Sequence, residues 1–180
     1  VLLSATVLPI MGTAMLSPVL DSLVGPFGVS ATSIGLLISA YTLPQIFFIP
    51  VTGALADRYH RKPVLVGSLL VFGVAGLAVP LTADFRVALA VRFCQGVGAA
   101  GLNPIIITLI GDLYAGDREA TGQGLRFAAS GASGTVLPIV AGLVVALGWQ
   151  FPFLLYAIAI PAALAVVVRL DEPTPTDPDN

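Results

Sequence analysis

Charge is scarce in this sequence. Only 10% of its 180 residues are Asp, Glu, Lys or Arg, while 57% are hydrophobic. A soluble chain of this length carries about 25% charged residues, so there is too little here to clothe a wetted surface. Cysteine is down to one, Cys94, which excludes an internal disulfide and a cysteine-rich metal centre and reads as a packed thiol inside a helix. Histidine is down to His60. Basic residues are few, the net charge is −2, and no basic patch forms, which excludes nucleic acid as a partner. No basic leader precedes the first apolar stretch, so no cleavable signal peptide is read, and the true N-terminus is expected to lie before Val1.

What fills the chain instead is apolar length. Six runs are predicted to span a membrane as helices: Val1 to Leu20, Ser30 to Ala56, Pro63 to about Thr82, a fourth from the tight turn of Asp84 and Arg86 to about Leu113, about Glu119 to Leu147, and Phe151 to about Val168. The link Ser22 to Val29, with Gly25, Pro26 and Gly28, reads as a turn, and Ser30, Thr32 or Ser33 as the following helix cap. Trp149 suits a headgroup belt. Residues 1–170 thus form an all-α membrane bundle, and residues 171–180 a polar cytoplasmic linker or tail. The chain is organised around the charged loop Gly53-Ala54-Leu55-Ala56-Asp57-Arg58-Tyr59-His60-Arg61-Lys62. With an inside start, Arg58, Arg61, Lys62, Arg118 and Arg169 fall on the cytoplasmic side and Arg86 alone outside. That is a positive-inside pattern with both termini cytoplasmic.

These residues carry a resemblance. The loop is similar to the signature of the major facilitator superfamily, G-x-x-x-D-R/K-x-G-R/K-R/K, through Gly53, Asp57, Arg58, Arg61 and Lys62; His60 stands where the pattern has glycine. Arg92-Phe93-Cys94-Gln95-Gly96-Val97-Gly98-Ala99-Ala100 resembles that family's R-x-x-Q-G-x-G-A-A stretch. The fifth run looks like a worn antiporter motif, keeping Pro138 and Gly142 but carrying Leu137 and Ala141 for two glycines. The resemblance covers essentially the whole chain and implies the N-terminal six-helix half of a transporter, resembling drug/proton antiporters. It implies a partner too: a C-terminal six-helix half, or a second copy.

By resemblance, Asp57, Arg61 and Asp112 form a charge-relay latch at the inner face, with Gly53 permitting close packing against the opposite half. A glycine at position 60 would adopt a conformation costly for other residues, so His60 puts the local turn in doubt. Arg92 lies roughly 9 Å along its helix from Arg86 and costs at least ~2.5 kcal/mol facing lipid near the bilayer centre. It is therefore expected to face the bundle interior or a water-filled cavity, with Gln95, Gly96, Ala99 and Asn103 at helical spacing beside it. The resemblance associates Arg92 with proton coupling, which needs a titratable acid: either Asp21, the nearest in this chain, or one outside these 180 residues. Tyr41, Gln45, Asn103 and Arg126 are candidates for lining a cavity, Tyr41 and Gln45 equally for interhelical hydrogen bonds and Arg126 equally for snorkelling. Gly96, Gly98, Gly134 and Gly142 are read as packing positions and Pro138 as a bend.

The expected activity is secondary active transport by alternating access: proton-coupled efflux of small hydrophobic or drug-like compounds from a bilayer, without cofactor or metal. Uptake or exchange of a small metabolite is the alternative. Gly131-Ala132-Ser133-Gly134 spells the G-x-S-G of intramembrane serine proteases, but that chemistry needs a histidine base in reach, and His60 lies in the loop. An enzyme is not expected.

Overall fold

A computed structural model describes residues 2–170. Six helical segments are long and apolar enough to cross a membrane: Ala5–Phe27, Ala31–Tyr59, Arg61–Leu81, Phe85–Leu113, Asp117–Leu147 and Phe151–Arg169. They are numbered as spans one to six below. No strand occurs among the described residues. The tail at 171–180 lies outside them.

Span four is the hub and the most buried of the six. Spans two and three pack along it, span three also meets span six, and span one lies against spans four and five. Lipid gives helices no hydrophobic reason to associate, so close approach of small residues must supply the contact. Span four is built for that. A Cβ on Gly96 would sit 2.1 Å from the Tyr41 carbonyl oxygen, and one on Gly98 would sit 2.6 Å from the Phe72 backbone nitrogen. Ser68 Oγ lies where a side chain on Gly101 would go. Leu102, Ile106 and Leu109 continue the same helix as fully buried core.

The charged stretch 53–62 is helix up to Tyr59 and again from Arg61, with His60 alone between them, and a second connection departs further from expectation. Residues 22–29 were expected to be a turn, yet the helix Leu20–Phe27 runs through Gly25 and Pro26, and only Gly28 breaks it, in the left-handed conformation (φ 62°). Packing decides this. Leu23 and Phe27, one turn apart, are both buried, and Phe27 meets Phe85 and Trp149 edge-on. The next helix is capped by Ser30, whose hydroxyl accepts from the Ser33 amide at 3.1 Å. Asp84 caps span four by accepting from the Arg86 amide at 2.8 Å.

Span five is the least buried. Cβ atoms built on Gly124, Gly131, Gly134 and Gly142 would meet nothing within 4 Å, and Phe127, Val136, Ile139 and Leu143 stand exposed beside them. Gly134 and Gly142, read as positions of close helix contact, lie on an open face of this bundle. Cys94 is corrected likewise, being exposed rather than packed.

Candidate functional site

The first span is broken, and the break builds the site. Its first helix stops at Ala14, and Ser17–Val19 forms a 3-10 turn with Pro18 in it. Leu16 N–H, which would close an α-helical bond to the Gly12 carbonyl, turns instead to Thr13 at 3.2 Å. Gly12 is left with a carbonyl that a membrane interior cannot hydrate. Arg92 takes it, Nη2 donating at 2.5 Å. Two more carbonyls of the same helix are held by tyrosines: Tyr41 Oη donates to Pro9 at 2.8 Å and Tyr156 Oη to Met11 at 3.1 Å.

Arg92 is 0% exposed, the largest fully buried side chain among the described residues. Nε donates to the Leu37 carbonyl at 3.3 Å and Nη1 to Gln95 Oε1 at 2.6 Å, with Tyr156 Oη a long 3.5 Å from the same nitrogen. The guanidinium carbon lies 4.7 Å from the centre of the Tyr41 ring. A buried ion costs several kcal/mol in lost hydration. Hydrogen bonds to a charged group return about 1.5–3 kcal/mol each, and a desolvated cation–π contact about 2, so neutral acceptors alone can hold this cation. No carboxylate takes part among the described residues. One group is left over: Gln95 Nε2 is buried without a hydrogen-bond partner among the described residues, against Gly76, where a Cβ would come within 2.6 Å of it.

Gly12 matters for space as well as for its carbonyl. A Cβ there would stand 2.0 Å from Tyr41 Cζ, so the ring fits only over a glycine. Tyr41 is thus buried inside the bundle and makes an interhelical hydrogen bond, one of the two readings open to it; its ring is clamped between Gly12 and Phe72, whose ring centroid is 6.4 Å away. Gln45 donates to the Tyr41 carbonyl at 3.0 Å, closing a local bond on its own helix. Arg92 lies in the bundle interior with Gln95, Gly96 and Ala99, but Asn103, just before Pro104, is exposed and apart from them. Asp21 is exposed in the first turn of Leu20–Phe27 and has no ion pair among the described residues.

The second constellation is the charged loop. Arg61 opens the third span and forms an ion pair with Asp112 near the end of the fourth, the two side chains 27% and 28% exposed. Asp57, the expected third member, is exposed and makes no hydrogen bond or ion pair among the described residues. Arg58 folds over the ring of Tyr59, 5.6 Å to its centre, and Lys62 is half-buried. Nothing lies within 4 Å of a Cβ built on Gly53. His60 has φ 71° and ψ 153°, the described residues' one non-glycine positive φ, at the position where the resembled pattern has glycine. That region is almost confined to glycine and costs other residues about 1–3 kcal/mol.

The sequence matches the family model described as Major Facilitator Superfamily over residues 2–180. The chain belongs to the major facilitator superfamily. Among its relatives in that superfamily, the bacillibactin exporter of Bacillus subtilis is 35% identical over 79% of this chain and 37% of its own length. Tetracycline resistance protein, class C, of Escherichia coli is 32% identical over 88% of this chain and 40% of its own length. Multidrug resistance protein 2 of Bacillus subtilis is 27% identical over 96% and 43%. The chain thus spans less than half the length of these relatives. It is a transporter-family chain with several membrane-spanning helices, and these relatives are export and resistance proteins.

In this superfamily chain the fifth span holds the remaining candidates. Arg126 is held by its own span. It is 8% exposed, donates from Nε to Gln123 Oε1 at 3.0 Å, and stacks over Phe127 at 4.4 Å. Gln123 in turn donates to the Ile107 carbonyl at 3.1 Å, tying spans five and four together. Pro138 lies inside one continuous helix, Asp117–Val144. Ser133 is buried with its hydroxyl given to the Ala129 carbonyl at 2.6 Å, an ordinary bond to its own helix. Sequence reasoning missed Gly12, Tyr156 and Gln123. Tyr156 had a signal: a tyrosine in an otherwise apolar membrane segment needs a partner for its hydroxyl.

Proposed function

We propose that this chain forms the N-terminal six-helix half of a proton-coupled exporter of small hydrophobic or drug-like compounds, working by alternating access. The observation that carries the reading is the Arg61–Asp112 pair. It joins the loop between spans two and three to the end of span four through partly solvated charges, a contact that forms and breaks at modest cost. Asp57 and Gly53, on the same end and unpartnered here, meet the second bundle when that gate closes. The end carrying the loop is the cytoplasmic one, by the excess of basic residues there. The export direction rests on the relatives, which are exporters and resistance proteins by name.

Proton coupling in this reading does not use a salt bridge to Arg92. The cation is held by neutral acceptors, so it sets a fixed positive potential inside the bundle, which disfavours protonation of bases and favours ionised acids nearby. Asp21, after the break in the first span, is the acid of this chain that serves.

The test is transport in everted vesicles under an imposed pH gradient. Extrusion of a fluorescent lipophilic substrate should follow the gradient and stop when a protonophore collapses it. Asp112→Asn should abolish it at normal expression. Transport that ignores the gradient removes proton coupling, and full activity of Asp112→Asn removes the gate. A cysteine placed beside Lys62 should resist labelling from outside sealed cells; ready labelling reverses the orientation. Gradient-driven accumulation in right-side-out vesicles is the result expected of an uptake carrier instead.

A further inference from the structure

An apolar groove of about 730 Å³ runs between spans three and four on the outside of the bundle. Leu70, Val71 and Val74 form one wall and Val87, Ala90 and Val91 the other, with Cys94 at the deep end and Arg86 at the mouth. From Arg86 to Cys94 is eight residues of helix, and from Ala78 back to Leu70 is eight more on the facing helix, so each wall runs about 12 Å along the axis. Half of a hydrocarbon core is about 15 Å thick. The groove is therefore about one leaflet deep.

The mouth has a charge to match. Arg86 is exposed, and its guanidinium makes no ion pair or hydrogen bond among the described residues. The neighbouring anion, Asp84, uses Oδ1 to cap the helix start. The other arginines and Lys62 lie inside the bundle or toward the end that carries the Arg61–Asp112 pair. A polypeptide segment fits poorly in such a groove. A crossing helix needs contact through both leaflets, and an extended segment would find no donors or acceptors on these walls.

We propose that this groove binds an anionic glycerophospholipid, one acyl chain lying between spans three and four and the headgroup phosphate on Arg86. The inference rests on the membrane location of the chain and not on what it transports. The test replaces Trp149 by Phe and Val74 by Trp, so that the one indole reports from the groove of the reconstituted protein. Quenching is titrated with phosphatidylglycerol or phosphatidylcholine carrying brominated acyl chains. The anionic lipid should reach half-quenching at a mole fraction about fivefold lower, as expected of one basic residue at the surface. Arg86→Gln should erase that difference. A control reporter, Leu143→Trp on the open face of span five, should show none. Equal titrations at position 74, a preference that survives Arg86→Gln, an equal preference at position 143, or an indole that neither lipid quenches would each overturn the proposal. The last result would mean that another protein surface fills the groove. Loss of transport with the preference intact would leave this site standing and count against the transport reading alone.

Discussion

Arg92 and Arg61 stand at the opposite extremes of what this bundle does with a guanidinium. Arg92 is wholly buried and surrounded by neutral acceptors: two backbone carbonyls, a side-chain amide, a tyrosine hydroxyl and an aromatic face. Arg61 is 27% exposed and its partner is a carboxylate. Water competes for the second arrangement and cannot reach the first. The difference separates two duties. Around Arg92 spans one, two, four and six are tied together, while the Arg61 pair, on the reading proposed above, is the contact that opens and closes.

That contrast is broken most severely at the buried end. Arg92→Ala removes a side chain that fills the core and leaves the Gly12 carbonyl without a partner, so about 3–5 kcal/mol should be lost. Melting followed in detergent should show it, and Arg92→Lys should recover only part, since an ammonium cannot span the guanidinium's fork of acceptors. Tyr156→Phe keeps the ring and loses one buried hydroxyl, costing about 1–2 kcal/mol in the same assay. At the exposed end the signs and sizes change. His60→Gly should stabilise the protein by about 1 kcal/mol, because glycine accepts the positive φ without strain. Asp112→Asn should cost less than about 1 kcal/mol, the usual worth of a partly exposed ion pair. If its stability loss rivals that of Arg92→Ala, the loop pair is structural and the division of duties fails.

The membrane helices were legible because apolar length is a direct demand of the bilayer, and the loop because its charges interrupt that length. Arg61 and Asp112 meet, while Asp57, the third member that the resemblance implied, stands apart from them. The surroundings of Arg92 were half legible: the cost of a cation in lipid placed it inside, but nothing local named its partners. Gly12 is 80 residues away and Tyr156 reaches Met11 across 145. Glycine counts say less in span five for a similar reason. A small residue reports that something approaches closely, as at Gly96 and Gly98, or that nothing does, as at Gly134, and composition does not distinguish the two.

The break in the first span also has a consequence for biogenesis. It divides that segment into helices of 13 and 8 residues, each shorter than the roughly 20 residues that a bilayer crossing requires. The carbonyls of the first piece are secured by side chains 32, 80 and 145 residues further along. Of these six spans the one synthesised earliest is therefore among the last to be fastened, and its final seating waits for the sixth to arrive.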